Sequence, residues 1–244
     1  MESIKQIFRI GNGPSSSHTM GPKRAAEMFL ARNREVDSFR VTLYGSLAAT
    51  GRGHMTDVAI KSVLEPVAPL EIAWKPEVFL DFHPNGMLFE SLKADGSVIQ
   101  AWTVYSVGGG ALASDDLSDP QPEHVYGMST VSEIQQWCDK QGGSYWEYVQ
   151  QCEGDEIWDY LEEVWRVMVD AVHHGLETEG IIPGGLGIRR KAGSYLIRAN
   201  SYSGTMKSRG QEYAYALAVS EENATGGKIV TAPTCGSCGV LPAV

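Results

Sequence analysis

The sequence predicts an α+β domain over residues 1–125, followed over residues 126–244 by the first part of an all-α domain. Three observations lead there. The first half interleaves strand-like alternation, such as Phe39, Val41 and Leu43 against Arg40, Thr42 and Tyr44, with apolar residues at helical spacing. Residues 111–127 carry Asp115, Asp116, Asp119, Pro120, Pro122 and Gly127, a loop-like composition that marks a boundary. Beyond it only helical patterns recur, the clearest from Asp155 to Gly175 with an apolar stripe of Ile157, Leu161, Val164, Met168 and Val172.

In order along the chain, residues 22–32 predict a helix with Ala25, Met28 and Phe29 on one face, and Arg32 and Arg34 suit its carbonyl end. Val36 to Ser46 predicts a strand ending at Gly45-Ser46. A second helix carries Val58, Ile60 and Val63 or Leu64, capped by Thr56 or Asp57 and ended by Pro66 and Pro69. Leu70 to Trp74, Leu88 to Leu92 and Val98 to Val107 predict strands, the last two joined by a hairpin at Asp95-Gly96. In the second half, Val131–Lys140, Tyr145–Gln151 and Gln211–Ser220 predict further helices. Glu179 to Gly187 predicts a loop. The chain stops at Val244 just inside an apolar stretch, as expected of a piece truncated within the α domain.

The 244 residues carry a formal charge of −10, which disfavours nucleic acid and anionic membranes as partners. No apolar run approaches the roughly 18 residues of a membrane span, and the N-terminus lacks a signal core, so the expected location is the cytoplasm. The four cysteines, Cys138, Cys152, Cys235 and Cys238, are then expected as thiols or ligands. One Cys-x-x-Cys supplies too few ligands for a metal centre, and buried structural thiols fit Cys235 and Cys238 better. Walker A, His-Glu-x-x-His and Gly-x-Ser-x-Gly motifs are absent.

The stretch Gly11-Asn12-Gly13-Pro14-Ser15-Ser16-Ser17-His18-Thr19-Met20-Gly21-Pro22 places hydroxyls and an imidazole directly ahead of a helix. It reads either as a capped turn or as a polar loop holding a carboxylate at a helix N-terminus. His54 and His83 lie in two further breaker-rich loops, and three such histidines suggest one polar pocket with proton-transfer capacity. His173 and His174 suit the carbonyl end of the long helix. Arg189-Arg190-Lys191 fits a solvated face, or a contact to a substrate carboxylate.

These motifs carry a resemblance. Gly13 to Thr19, Thr50-Gly51-Arg52-Gly53-His54-Met55-Thr56-Asp57, His83-Pro84-Asn85-Gly86-Met87, Tyr105 to Gly110, Glu179 to Gly184, Glu221 to Ala224 and Thr231 to Thr234 occur in this order. Together they resemble the bacterial iron–sulfur-dependent L-serine dehydratases (L-serine ammonia-lyases) in their single-chain form. The resemblance implies a β domain like the allosteric substrate-binding domain of some D-3-phosphoglycerate dehydrogenases. It also implies a homodimer, amino-acid catabolism, and conversion of L-serine to pyruvate and ammonia with a [4Fe–4S] cluster as Lewis acid. The cluster cysteines are expected beyond Val244, so this chain is expected to lack the cluster and its turnover. The site residues it implies are His54 as the proton-transfer group oriented by Thr56 and Asp57, with His18 and His83. Ser15, Ser16, Ser17, Thr19, Asn85 and Lys191, with Thr231 and Thr234, are expected to bind substrate. A different class of function is an amino-acid-sensing module without catalysis; an inert fragment is a third.

Overall fold

A computed structural model describes residues 1–33, 35–114 and 124–244. Arg34 and the acidic and proline residues of 115–123, on which the predicted boundary rests, lie outside the described residues. The elements are β1 (Ile10–Asn12), α1 (Gly21–Arg32), β2 (Ser38–Tyr44), α2 (Gly45–Thr50), α3 (Thr56–Leu64), β3 (Leu70–Lys75), β4 (Gly86–Leu92), β5 (Val98–Gly108), β6 (Ala111–Ser114), α4 (Val131–Gln141), α5 (Tyr145–Glu153), α6 (Glu156–Glu177), α7 (Ala192–Asn200), α8 (Gly204–Ala224) and β7 (Lys228–Val230).

A five-stranded sheet in the order β3-β2-β4-β5-β6 forms the first half, parallel between β2 and β3 and antiparallel elsewhere. The two-residue alternation puts Phe39, Val41 and Leu43 of β2 on the same face as their cross-strand partners, Ser91, Phe89 and Met87 of β4. Trp102 and Val104 of β5 extend that face. Helices α1, α2 and α3 close over it through Ala25, Ala26, Phe29, Leu47, Ile60 and Leu64. Phe29 is the hub, its ring 5.5 Å from Phe89 and 6.2 Å from Phe39, and burying such rings is worth roughly 1.5–3 kcal/mol each. On the opposite face Arg40 and Glu90 pair across strands.

In the second half α6 is the central helix, burying Ile157, Val164, Val167, Met168, Ala171 and Val172. At Gly175 a Cβ would lie 2.4 Å from the Ala218 carbonyl, so the lack of a side chain lets α6 and α8 cross closely. Met20 packs with Ala171, Val172, Val219, Ile229, Cys235 and Cys238, which fuses the halves. The N-terminal residues join the helical half. β1 pairs antiparallel with β7, with Ile10 opposite Val230, and Glu153 accepts from the Ile4 N–H at 2.8 Å and the Ser3 hydroxyl at 2.7 Å.

Several expectations are corrected. Residues 111–114 form β6, not loop, and the second half contains β7 as well as helices. Helices α2 and α7 were not foreseen. The first has six residues, fewer than two turns, and the second buries only Ala192 and Ala199, so neither carries a readable stripe. Helix α8 starts seven residues before Gln211, in the exposed, polar run 204–209. The N-cap of α3 is Met55 without a side-chain cap, because the Thr56 hydroxyl is used elsewhere.

Candidate active site

Ser15 caps a single π-helical turn, Ser16–Met20, that runs straight into α1, accepting from the His18 N–H at 3.1 Å. Thr19 Oγ1 accepts from the Ser15 N–H at 3.2 Å and donates to the His54 carbonyl at 2.6 Å. Thr56 Oγ1 donates to the His18 carbonyl. Two threonines thus tie the backbones of two histidines to each other. Ser15 and Thr19 spend their hydroxyls on fixing this turn, so the capped-turn reading is realised. Ser17 Oγ lies 2.9 Å from His18 Nδ1, and Ser46 Oγ lies 3.2 Å from His18 Nε2.

The His18 and His54 ring centroids are 4.8 Å apart. Burial, and secondarily the neighbouring His54, pushes the His18 pKa below its usual 6.5, so His18 is neutral at neutral pH. His54 Nδ1 lies 3.1 Å from the Thr50 carbonyl, which only accepts. Nδ1 therefore carries the proton, and in the neutral ring Nε2 is left with a free lone pair. Thr56 gives its hydroxyl to the His18 carbonyl, not to the His54 ring. The Thr50 carbonyl orients that ring in place of the expected Thr56 and Asp57, and sequence offered no signal for a backbone group in that role. Next to it Met55 adopts φ +56°, the one positive φ outside glycine among the described residues.

The third loop docks beneath. The Ser46 N–H donates to the Pro84 carbonyl at 3.1 Å, which brings the His83 loop to the residue that holds His18. His83 Nδ1 accepts from the Asn85 N–H at 3.1 Å, and Asn85 Nδ2 donates to the Ser106 carbonyl at 3.2 Å. A Cβ at Gly21 would lie 2.4 Å from Ser106 Oγ, so the Asn85–Ser106 pair sits directly under the start of α1. Asn85 Oδ1 and Ser106 Oγ are buried without partners, each at a cost of roughly 1–3 kcal/mol.

The helical half contributes the end of α8. Asn223 Nδ2 donates to the Pro14 carbonyl at 3.1 Å, and the Gly13 N–H donates to the Gly227 carbonyl at 3.1 Å. Behind Asn223, Glu222 is 3% exposed and accepts from Arg190 Nη2 at 2.5 Å and from His174 Nδ1 at 2.7 Å. Glu221 accepts from the Lys191 N–H at 2.7 Å at the start of α7. Arg190 is thus buried and paired, not solvated. Asn223 and Glu222 stood only in a motif, and their role was not visible from local sequence.

The remaining predicted residues make their hydrogen bonds to groups other than the two histidines. Lys191 has an exposed side chain, and its backbone N–H is what bonds. Thr231 is buried and accepts from the Arg9 N–H at 2.9 Å, fastening the N-terminal segment. Thr234 is exposed, 3.2 Å from the Ser237 hydroxyl.

No three His, Cys, Asp or Glu side chains among the described residues converge to hold a metal. Burial pushes the Cys235 thiol up to about 12 and Cys238 to about 11, so both are held as protonated thiols.

The family model described as serine dehydratase beta chain matches residues 3–75, and the one described as serine dehydratase alpha chain matches residues 43–244. The chain is 36% identical to an L-serine dehydratase of Streptomyces coelicolor, over 99% of this chain and 65% of that protein. It is 34% identical to one from Mycobacterium tuberculosis (99% and 64%) and 34% to L-serine dehydratase 2 of Escherichia coli (100% and 65%). The first of these alignments runs over 295 positions against 244 residues here, so that relative carries insertions that this chain lacks. The chain spans slightly less than two thirds of the length of these relatives. With the alpha-chain match covering most of its length, the chain belongs to the serine dehydratase family.

Proposed function

We propose that these residues form the histidine-bearing wall of an L-serine dehydratase, which converts L-serine to pyruvate and ammonia. The observation that carries the reading is the His54 tautomer. With Nδ1–H donated to Thr50, Nε2 is placed to take the Cα proton of L-serine. The electrons of that C–H bond form the Cα–Cβ double bond, and the β-hydroxyl departs, taking up a proton to leave as water. The resulting aminoacrylate tautomerises to the imine and hydrolyses to pyruvate and ammonia.

Ser17 and His18, whose side chains bond to one another and to short hydroxyl side chains nearby, meet the substrate carboxylate or hydroxyl. Ser15, Ser16 and Thr19 shape the turn that presents them, and His83 and Asn85 support it from below. A neutral His18 keeps a second positive charge away from His54 as it gains its proton. An iron–sulfur Lewis acid, implied by the resemblance, is proposed with this reading. Cytoplasmic location and a homodimer are proposed with this reading. Trp165, Ile197, Met206 and Tyr213 leave apolar surface exposed on the helical half, and sedimentation velocity reads the self-association.

Calorimetry tests the site. Saturable binding of L-serine, weakened at least about tenfold in His54→Ala, is the expected result. No saturable heat with L-serine overturns the reading. A pyruvate assay after anaerobic reconstitution with iron and sulfide shows whether the chain also turns over.

A further inference from the structure

Alongside Gly11, Asn12 and Met20 lies a cleft of about 600 Å³, walled by the N-terminal segment, α1 and α6. Its volume suits a small metabolite. Four of its lining residues are cations: Lys5, Arg9, Lys23 and Arg24. The two carboxylates on its wall, Glu27 and Glu163, are both exposed. Among the described residues no carboxylate comes within 4.0 Å of any of the four cations. In a chain of net charge −10 this is, among the described residues, a concentration of positive charge without a close ion pair, and a walled cleft focuses such a field.

Three of the cations are held in place by neutral groups. The Arg9 guanidinium donates to the Gly109 carbonyl and to Gln6 Oε1, and Lys23 Nζ donates to Asn12 Oδ1 at 3.2 Å. Lys5 lies over the Tyr160 ring, 5.6 Å from its centroid. None of these contacts neutralises charge. Burial and then the neighbouring Arg24 disfavour the charged form of Arg9, so two guanidinium groups are kept in mutual repulsion.

We propose that this cleft binds a small dianion, of the phosphate or dicarboxylate type, between Lys5, Arg9, Lys23 and Arg24. Among the lining residues the cations outnumber the carboxylates, four to two, which favours an anionic ligand. A dianion there gains charge-assisted hydrogen bonds and relieves the Arg9–Arg24 repulsion. Asn12 joins the cleft to the segment that carries Ser15 to Thr19, yet the binding claim stands without any assignment of catalysis.

The test is calorimetry on the 244-residue chain with inorganic phosphate and, separately, with malonate, at low ionic strength. Saturable binding of at least one probe is expected, the stronger one naming the class. Arg24→Gln, on the exposed side of α1, weakens it about tenfold, as does Lys5→Gln, while Arg209→Gln on α8 leaves it unchanged. No saturable heat with either probe overturns the site. So does equal weakening in Arg209→Gln, which would mark binding by overall charge alone. Circular dichroism of each variant confirms the fold, so that lost binding is read as a lost cation and not as unfolding.

Discussion

The His18 and His54 rings lie 4.8 Å apart, inclined at 42°, and each histidine's backbone carbonyl accepts a hydroxyl from the threonine beside the other. The His54 ring is held by the Thr50 carbonyl and the His18 ring by the Ser17 and Ser46 hydroxyls, and among the described residues neither ring bonds to a carboxylate. His54→Ala is expected to lower L-serine turnover about 100-fold or more in the enzyme that contains this segment. Thr19→Val, which removes only the hydroxyl to the His54 carbonyl, should reduce kcat by less while leaving the melting curve cooperative. Steady-state kinetics reads both; near-normal turnover in His54→Ala removes it as the base.

The loop that carries His18 is clamped to the helical half where Gly13 meets Asn223. A methyl group at Gly13 would lie 2.2 Å from the Asn223 backbone oxygen and 2.3 Å from its Oδ1. The Asn223 backbone cannot swing aside as a side-chain end can, so Gly13→Ala should cost about 1–3 kcal/mol and weaken L-serine binding. At Gly11 a Cβ would meet the Met20 terminal methyl at 2.4 Å, but that methyl ends a flexible side chain. Gly11→Ala should therefore cost less. Urea unfolding midpoints of the two variants check the order.

What the sequence made legible follows from periodicity. The alternation of Phe39, Val41 and Leu43 marks a strand with one buried face, and all three are fully buried. The stripe through Ile157, Val164 and Met168 marks α6 in the same way. Motif loops could be found because glycine, proline and hydroxyl residues cluster around His18, His54 and His83. Contacts across long stretches of chain were not legible. Asn223 meets Pro14 across 209 positions, and Arg190 meets Glu222 across 32. A basic triplet therefore reads as solvated surface until its carboxylate partner arrives from another helix. Lys191 and Thr231 illustrate the same limit, since what they bond through is set by α8 and by the N-terminal segment.

The Arg190–Glu222 pair ties the end of α8 to the segment just ahead of α7, and both side chains are almost fully buried, at 5% and 4% exposure. Glu222→Ala would strand a buried guanidinium, and about 3–5 kcal/mol of destabilisation is expected. The double variant Arg190→Met with Glu222→Leu should recover most of that loss, because it removes both desolvated charges. Chemical denaturation of the three proteins gives the comparison. A double variant as unstable as Glu222→Ala would show that the remaining partners, His174 and Thr225, need the carboxylate or guanidinium themselves.

Thiol chemistry should separate the cysteines. Burial raises Cys235 to about 12 and Cys238 to about 11, the former also feeling Cys238, so both stay protonated at mildly alkaline pH. Cys138 is buried as well, and Cys152 is partly exposed. Iodoacetamide at mildly alkaline pH is expected to modify Cys152 first, with Cys235 and Cys238 reacting only when urea unfolds the chain. Mass spectrometry of tryptic peptides reads the order, and early labelling of Cys235 would contradict its burial.

Stability should fall in acid in two stages, and the signs follow from the groups involved. The His18 pKa is below 6.5 in the folded state, chiefly from burial, so the unfolded chain binds the extra proton first. Its contribution is complete above 6.5 and declines as the pH falls from there through the folded-state value. Glu90 is lowered from 4.5, first by the hydrogen bond from Arg40, against an opposing effect of burial. Burial is the largest influence on Glu153 and acts upward, but Tyr126, Ser3 and the Ile4 N–H together outweigh it and leave its pKa lowered. These carboxylates stabilise the fold above 4.5 and lose that contribution as the pH drops through their folded values. His18→Gln should flatten the first stage while sparing the second, and Glu90→Gln should do the reverse. Urea midpoints measured across the acid range distinguish the two. A first stage unchanged in His18→Gln would mean that the proton uptake lies elsewhere.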